Sequence, residues 1–488
     1  MILLLAFLLP LLSIPLVYLV GRESKRKPAG IIAIFSIIDL ILLLCTVPEV
    51  LSRGRYVESY YWMPMLGAPL TLFADGISLS LAAITLLLIF SSMIFASDYM
   101  EDSGSLWQFY LLMALLTVGL VGVFITANLM VFYFCWEFML VPTYFIIGGW
   151  GYRESYRAAF KFFIFTHAGA VAVLLGIGAI YMLTGTLDMF QAKELLAAAP
   201  QEFLKWIFIA LTLGFAVKMA IVPLHMWLPD AHSEAPAPMS ALLSGVIIEA
   251  GAYAILRVSL GTVLPSISDV SVNVQMLHAL SILGVISAFY GAMTALAEDD
   301  IKRIVAYSSI SHMGYVLFGL SLYPCVEGTI GAVLHLVNHA ASKGLLFLNA
   351  GAIMKQTGVR DINRMGGLAS KMPLTAFSTA VSSFSIAGIP SLACFISEFF
   401  MFMGGFQVGG NNSLYYATTT FMIIATVFSL AYVLRFFWKI FLESSKIQEA
   451  RDPSILMSTP MILLSIVVIL LGVWSGPIIH LMSSAEIS

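Results

Sequence analysis

Charged side chains are scarce in this sequence. Only 10% of its 488 residues are Asp, Glu, Lys or Arg, and the formal net charge is −3. A soluble globular domain carries about 25% charged residues. Together with 60% hydrophobic residues and a mean hydropathy of +0.96, the deficit argues against a soluble enzyme and indicates a polytopic membrane protein. The nearly neutral charge gives no reason to expect a nucleic-acid partner.

Cysteine is equally rare. The four cysteines, Cys45, Cys135, Cys325 and Cys394, lie in or near apolar runs, and none belongs to a CxxC pair or a Cys/His cluster. We therefore expect this chain to hold no iron–sulfur cluster, no zinc or other metal ion, no cofactor and no disulfide framework.

Long polar segments are missing as well, so no part of the chain outside the membrane is large enough to fold alone. One membrane domain spanning residues 1–488 is expected. Because a spanning helix needs roughly 20 apolar residues, we predict an all-α polytopic membrane protein of about 14 transmembrane helices. The predicted spans lie near residues 1–20, 30–48, 76–97, 107–125, 129–149, 158–183, 206–228, 237–260, 276–296, 304–322, 328–354, 373–404, 415–440 and 457–482.

Proline interrupts the seventh and twelfth predicted spans, at Pro223 and Pro390. Proline removes a backbone hydrogen bond, and such breaks are tolerated in a membrane only where the freed carbonyls are buried or line a wet cavity. Two broken helices at matching positions are typical of an inverted repeat. We predict helices 1–3 in residues 1–106, one five-helix unit (helices 4–8) in 107–260, its inverted copy (helices 9–13) in 276–440, and a last helix in 457–482.

Lysine and arginine are distributed unevenly among the predicted loops. The first loop, residues 22–27, contains four basic residues, and counting alternate loops leaves only Arg53, Arg55, Lys193 and Lys205 on the opposite side. Because cytoplasmic loops carry the excess of Lys and Arg, the pattern predicts that both termini lie outside. The expected location is a prokaryotic cytoplasmic membrane.

Several ionisable residues fall near the middle of predicted spans. Each costs about 2.5–3.5 kcal/mol at the bilayer centre on insertion scales, so such residues are rare and usually functional. One of them alone could simply lock two helices together, but a row beside two broken helices favours an ion pathway. The candidates are Glu137, Lys218, Glu249, His335, His339, Lys343 and Glu398.

The chemistry of these residues suits protons. His335, His339 and Lys343 are spaced i, i+4, i+8 and therefore share one helix face. Histidine titrates nearest neutral pH and suits a relay. A carboxylate such as Glu137 would stabilise the charged form of Lys218 when close and release its proton when withdrawn. Sodium would need several oxygen ligands at one place, which the pattern does not offer.

Five segments carry a family resemblance. They read CWEFMLVP around Glu137, FAVKMAIVPLHMWLPDAHSEAP around Lys218, IKRIVAYSSISHMG including His312, NHAASKGLLFLNAG, and GIPSLACFISEFF around Glu398. They resemble the antiporter-like proton-channel subunits of respiratory complex I, of archaeal membrane-bound hydrogenases and sulfane-sulfur reductases, and of Mrp cation/proton antiporters. The likeness extends over nearly the whole chain and implies fourteen helices with an inverted five-helix repeat.

The resemblance also implies roles. Glu137 matches the fifth-helix glutamate that pairs with the seventh-helix lysine, here Lys218. His312, His339 and Lys343 match polar residues of the tenth and eleventh helices, and Glu398 matches the twelfth-helix glutamate of the M-type subunit of complex I. Glu249 departs from the pattern, because lysine or histidine is usual there. It could pair directly with Lys218 or Lys343 and alter ion specificity or weaken the pump.

The expected function is proton, or sodium, translocation within a redox-driven complex. Sister antiporter-like subunits, small membrane subunits and peripheral redox subunits with iron–sulfur and other centres are the implied partners. A D-type subunit of an Mrp sodium/proton antiporter, without redox chemistry, is the main alternative. A scaffold in which Glu249 breaks the relay and a solute transporter are the other two.

Overall fold

The computed structural model describes residues 1–63, 68–104 and 106–485 of the chain. Eleven helices within these residues are long and apolar enough to cross a membrane. The chain is therefore a helical polytopic membrane protein. Its first half contains α1 (Ile2–Gly21), α2 (Lys27–Leu44), α3 (Val47–Arg53), α4 (Gly76–Tyr99), α5 (Trp107–Ile125), α6 (Leu129–Trp150), α7 (Ser155–Thr184), α8 (Met189–Leu196), α9 (Gln201–Met219) and α10 (Leu228–Glu234).

A buried rod follows α10 and occupies the centre of the bundle. It runs from α11 (Ala237–Leu242) through a π-helical turn (Leu243–Ile247) and α12 (Ile248–Ala254) into a second π-helical segment (Ile255–Val263). The second half contains α13 (Val270–Ala297), α14 (Ile301–Ser321), α15 (Val326–Thr357), α16 (Pro373–Ile386), α17 (Ala393–Gly409), α18 (Ser413–Phe437), α19 (Ile455–Val473) and α20 (Gly476–Ser483).

The chain is not all-α, which corrects the predicted fold class. Strands β1 (Arg55–Met63) and β2 (Ala68–Asp75) form an antiparallel hairpin between α3 and α4, with Arg55 opposite Asp75. The run of tyrosine, tryptophan and valine in this segment is typical of strands.

The hairpin marks one face of the molecule, here called the hairpin face. Ala127 N–H donates to the carbonyl of Thr71 over 2.9 Å, and the Thr71 hydroxyl donates to the Asp188 carboxylate over 2.6 Å. Asp188 in turn caps α8, a short helix between α7 and α9. The strand, the α5–α6 turn and α8 are thus held together by hydrogen bonds.

The opposite face, here called the loop face, is held by ion pairs. Asp230 of α10 accepts hydrogen bonds from Lys161 of α7 at 2.7 Å and from Arg303 of α14 at 3.0 Å. Arg435 of α18 donates to Asp299, and this bond lowers the pKa of the Asp299 carboxyl. Charged partners therefore connect the two halves of the chain where the helices reach water.

Small residues bring α13 and α14 into close contact. A Cβ added to Gly314 would lie 2.5 Å from both the Gly284 carbonyl oxygen and the Ala288 nitrogen. Helices associate in lipid through such close packing, because apolar side chains gain little from leaving the lipid. The α13–α14 contact thus depends on the absence of a side chain at Gly314.

We expect Gly314→Val to destabilise the protein by about 1–3 kcal/mol, the usual cost of overpacking. Gly178→Val is the matched control, because Gly178 lies in α7 and a Cβ there has no atom within 4 Å. The measurement is the thermal midpoint of each purified variant in detergent. Equal midpoints for the two variants would contradict the close contact.

Candidate ion-translocation site

The first break in a spanning helix lies between α9 and α10, as predicted at Pro223. Helix α9 ends at Met219, and Ala220 adopts a left-handed conformation with φ 58°. The Trp227 indole N–H donates to the carbonyl of Val217 over 2.9 Å, which satisfies one carbonyl freed by the break. Lys218 consequently sits in the last turn of α9, where the helix dipole favours a cation.

The Lys218 ammonium group is bound by a tryptophan rather than by a carboxylate. Its side chain is buried, and Nζ donates to the carbonyl of Trp136 over 3.0 Å and lies 3.8 Å from the centroid of the Trp136 ring. A cation over a desolvated indole face gains electrostatic stabilisation. The sequence analysis did not single out Trp136, although it immediately precedes Glu137.

Glu137 lies at the edge of the bundle. Its side chain is 22% exposed, and Oε2 is 4.0 Å from Nδ1 of His167 on α7. Phe134 and Phe138, on the same stretch of α6, are also exposed. Within the described residues, Glu137 and Lys218 form no ion pair within 4.0 Å, so the pair implied by the resemblance is not formed in this arrangement.

The second break lies between α16 and α17, as predicted at Pro390. Gly388 in this break has φ +68°, and a Cβ there would lie 2.5 Å from Oε2 of Glu398. The Glu398 carboxylate therefore folds back against the backbone of the break. In the first half the charged residue precedes the break, and in the second half it follows it.

Between the two breaks lies a buried row of ionisable side chains, and hydrogen bonds join some of its neighbours. Glu249 Oε1 is 2.9 Å from His339 Nδ1, and the His339 ring lies 5.7 Å from that of His312. His312 Nδ1 is 3.0 Å from His335 Nε2. The His335 Nδ1 atom is 2.9 Å from the hydroxyl of Ser397, one residue before Glu398. The row thus extends from the central rod toward the second break.

The suggestion that Glu249 pairs directly with a lysine is wrong for this structure. Glu249 bonds to His339, while Lys343 donates to the Val305 carbonyl over 3.2 Å and to the Ser308 hydroxyl. The backbone carbonyls and hydroxyls of neighbouring helices satisfy both lysines. The hydrogen-bond partner of the Glu249 carboxylate is therefore the imidazole of His339.

Three of the predicted residues could also meet one metal ion. Single ligand atoms of His312, His335 and Glu398 lie within 4.8 Å of one another. Two of the imidazole nitrogens already bond to each other. Hydrogen bonding therefore accounts for the histidine pair without an ion.

Several partners of the row were missed because they are uncharged or lie in distant parts of the sequence. The hydroxyl of Tyr432 on α18 is 3.3 Å from His312 Nε2. Ser308, Ser397 and Trp136 act through a hydroxyl or a carbonyl. Such groups are common in membrane helices, and no sequence signal distinguishes those that contact a buried charge.

Comparison with known proteins identifies the family. Residues 126–429, more than half of the chain, match the family described as NADH:quinone oxidoreductase/Mrp antiporter, TM. The chain belongs to this family. Subunit M of the F(420)H(2) dehydrogenase of Methanosarcina mazei is 31% identical over 487 aligned residues, which cover 97% of this chain and 95% of the relative.

Solved structures of the NADH:quinone oxidoreductase/Mrp antiporter type share the fold. A chain of respiratory complex I from Thermus thermophilus superposes with a TM-score of 0.85 at 26% identity, covering 100% of this chain and 99% of that one. A chain of the Mrp complex from Dietzia sp. DQ12-45-1b gives 0.87 at 22% identity, covering 98% and 96%. The antiporter-like subunit inferred from the sequence motifs is thereby confirmed.

We expect Gly388→Ala to destabilise the protein more than Gly185→Ala does. Both glycines have a φ near +70°, so each alanine carries the left-handed penalty of about 1–2 kcal/mol. Only the Cβ at position 388 also meets the Glu398 carboxylate, whereas position 185 has no atom within 4 Å. Thermal midpoints measure the difference. Identical shifts would mean that Glu398 does not depend on this glycine.

Proposed function

We propose that this chain moves protons through the membrane as an antiporter-like pump subunit of a complex I-related oxidoreductase. The observation that carries the proposal is a set of buried ionisable residues in which Glu249 bonds to His339 and His312 bonds to His335; its members are Lys218, Glu249, His339, His312, His335 and Glu398. Each of these groups can bind and release a proton. Burying ionisable groups inside a membrane costs free energy, so a set of this size indicates a function.

The row favours protons over sodium because most of its members carry nitrogen. Lysine and imidazole nitrogens do not serve as ligands for a hard cation such as sodium, which prefers oxygen. Glu249 and Glu398 are the carboxylates of its inner part, and a histidine lies beside each. A proton accepted by one imidazole nitrogen can be passed on from the other, and this is how a chain of histidines relays protons.

Glu137 would control the entry of the row. Its carboxylate is close to His167 and partly exposed at the edge of the bundle, whereas Lys218 rests on Trp136. Movement of the carboxylate toward Lys218 would hold the proton there, and withdrawal would let it pass to Glu249. The partial exposure suits contact with a neighbouring subunit that sets the position of the carboxylate.

The architecture belongs to the same proposal. Eleven apolar helices would each cross the membrane once. Helix α9, helix α15 and the broken pair α16–α17, counted as one crossing, would bring the number of spans to fourteen. Helices α5–α12 and α13–α18 would then be the two inverted units. The basic residues 22–27 would place the loop face in the cytoplasm and the hairpin face, with both termini, outside the cell membrane.

The partners follow from the relatives. Complex I, the F(420)H(2) dehydrogenase and the sulfane sulfur reductase assembly are named as redox complexes. We propose that sister membrane subunits adjoin this chain and that peripheral subunits hold the iron–sulfur centres. The chain itself would carry ions only.

An Mrp-type sodium/proton antiporter is the second candidate, because the fold superposes on a chain of the Mrp complex as closely as on a chain of complex I, at a sequence identity of 22% against 26%. The experiment that separates the two is purification of the tagged chain in mild detergent, followed by iron analysis of the assembly. Iron together with peripheral subunits supports the redox pump. An iron-free assembly of membrane subunits alone would favour the antiporter.

We expect Lys218→Ala to abolish ion flux in membrane vesicles while the complex still assembles, because the row loses its first proton carrier. Lys205→Ala is the matched control, since Lys205 lies on the same helix and pairs at its surface with Glu202 over 3.0 Å. Flux is measured with a pH-sensitive dye. Normal flux without Lys218 would leave the scaffold or a solute transporter as the better explanation.

A further inference from the structure

A cavity lined by several cations, here called the basic cavity, opens on the hairpin face. It has a volume of about 430 Å³ and lies where α4 begins, because Asp75, which caps the first turn of α4, is part of its wall. Four cationic and two anionic side chains line it, which gives the wall a net charge of +2. The cations are Arg53, Arg55, Lys193 and Arg257, and the anions are Asp75 and Glu194.

The four cations come from separate parts of the chain. They lie at the end of α3, at the start of β1, on α8 and in the second π-helical segment of the rod. Of the four lysines and arginines that the count of alternate loops places on this side, three line the basic cavity. The exception, Lys205, pairs with Glu202 over 3.0 Å. Basic residues are thus concentrated in one cavity on the side of the protein that otherwise has few of them.

An aromatic pair positions two of the arginines. The rings of Phe73 and Phe190 pack edge to face with their centroids 5.4 Å apart. The Arg55 guanidinium lies 5.0 Å from the centroid of the Phe190 ring, and the Arg257 guanidinium lies 5.5 Å from that of Phe73. A guanidinium group that rests on an aromatic face keeps the N–H groups of its edge available for hydrogen bonds. Both arginines are therefore held in place by contacts that leave donors for a ligand.

The protein neutralises only part of this positive charge. Arg257 forms an ion pair with Asp75, and Arg53 pairs with a glutamate of its own helix over 2.9 Å. Within the residues that the structure describes, Arg55 and Lys193 have no carboxylate within 4.0 Å. The basic cavity thus has two cations available for an anion from outside this chain.

We infer that the basic cavity binds a phosphate group, presented either by a phospholipid headgroup or by a soluble phosphate. Guanidinium groups bind phosphate oxygens through paired N–H donors, and an ammonium group adds a point charge. The start of α4 lies at the edge of the roughly 30 Å hydrocarbon layer, which is the depth of lipid phosphates. The site uses none of the residues of the buried row, so it is independent of the proposed ion translocation.

Arg55→Gln and Lys193→Gln test the site, because each removes one of the two available cations. Lys205→Gln is the matched control, since it removes the same charge from the same side of the protein but outside the cavity. The measurement is the dissociation constant of two probes, inorganic phosphate and dioctanoyl phosphatidylglycerol. Each is titrated by calorimetry, at constant ionic strength, into the delipidated complex that co-purifies with the tagged chain. We expect each cavity variant to raise the dissociation constant about tenfold, the effect of one lost charge-assisted hydrogen bond, and the control to leave it unchanged.

The two probes distinguish the sources of the phosphate. Tighter binding of the lipid than of inorganic phosphate identifies a headgroup as the ligand, and equal or weaker binding of the lipid identifies a soluble phosphate. The proposal is overturned if neither probe binds, if both cavity variants bind like the wild type, or if Lys205→Gln weakens binding equally. Failure to bind either probe would favour an acidic side chain of a neighbouring subunit as the occupant.

Thermal midpoints without probe establish that each variant is folded. Lys193 is partly exposed on α8, so Lys193→Gln decides the matter even where Arg55→Gln fails to assemble. Normal ion flux in both cavity variants, beside weakened phosphate binding, would confirm that the site is separate from the row.

Discussion

An ammonium group inside a bilayer must find all its partners within the protein, and the arrangement of this chain depends on that constraint. Lys218 meets it with a backbone carbonyl and the face of Trp136, and Lys343 with a carbonyl and a hydroxyl. No direct carboxylate within the described residues neutralises either lysine. Each ammonium group is therefore stabilised by the dipoles of carbonyls, a hydroxyl and an indole ring.

The partners of both lysines lie outside the two breaks, because Trp136 belongs to α6 and Val305 to α14. The breaks in α9–α10 and α16–α17 have a different effect: they leave carbonyls without a helical partner, and the protein must satisfy them, as Trp227 does for Val217. The two breaks lie beside Lys218 and Glu398, while His312 lies on α14 and His335 and His339 lie on the unbroken α15.

Much of this was predictable from the sequence. Proline positions located both breaks, and the i, i+4, i+8 spacing correctly placed His335, His339 and Lys343 on one face of one helix. The hairpin was missed because it lies between the predicted spans 30–48 and 76–97, and a search for apolar runs of spanning length assigns no structure to the segment that separates them. The partner of Glu249 was missed because several basic residues of other helices were equally plausible, and only the packing of the rod against α15 selects His339.

The length of α15 has a mechanical consequence. Its 32 residues would extend about 48 Å at 1.5 Å per residue, which is more than the roughly 30 Å of hydrocarbon in a bilayer. Such a helix must tilt or protrude. Because it has no internal break, His335, His339 and Lys343 cannot shift separately, and any rocking of the helix would change the depth of all three groups at once. Helix α15 can thus act as a rigid lever that makes or breaks every central contact of the row in one movement.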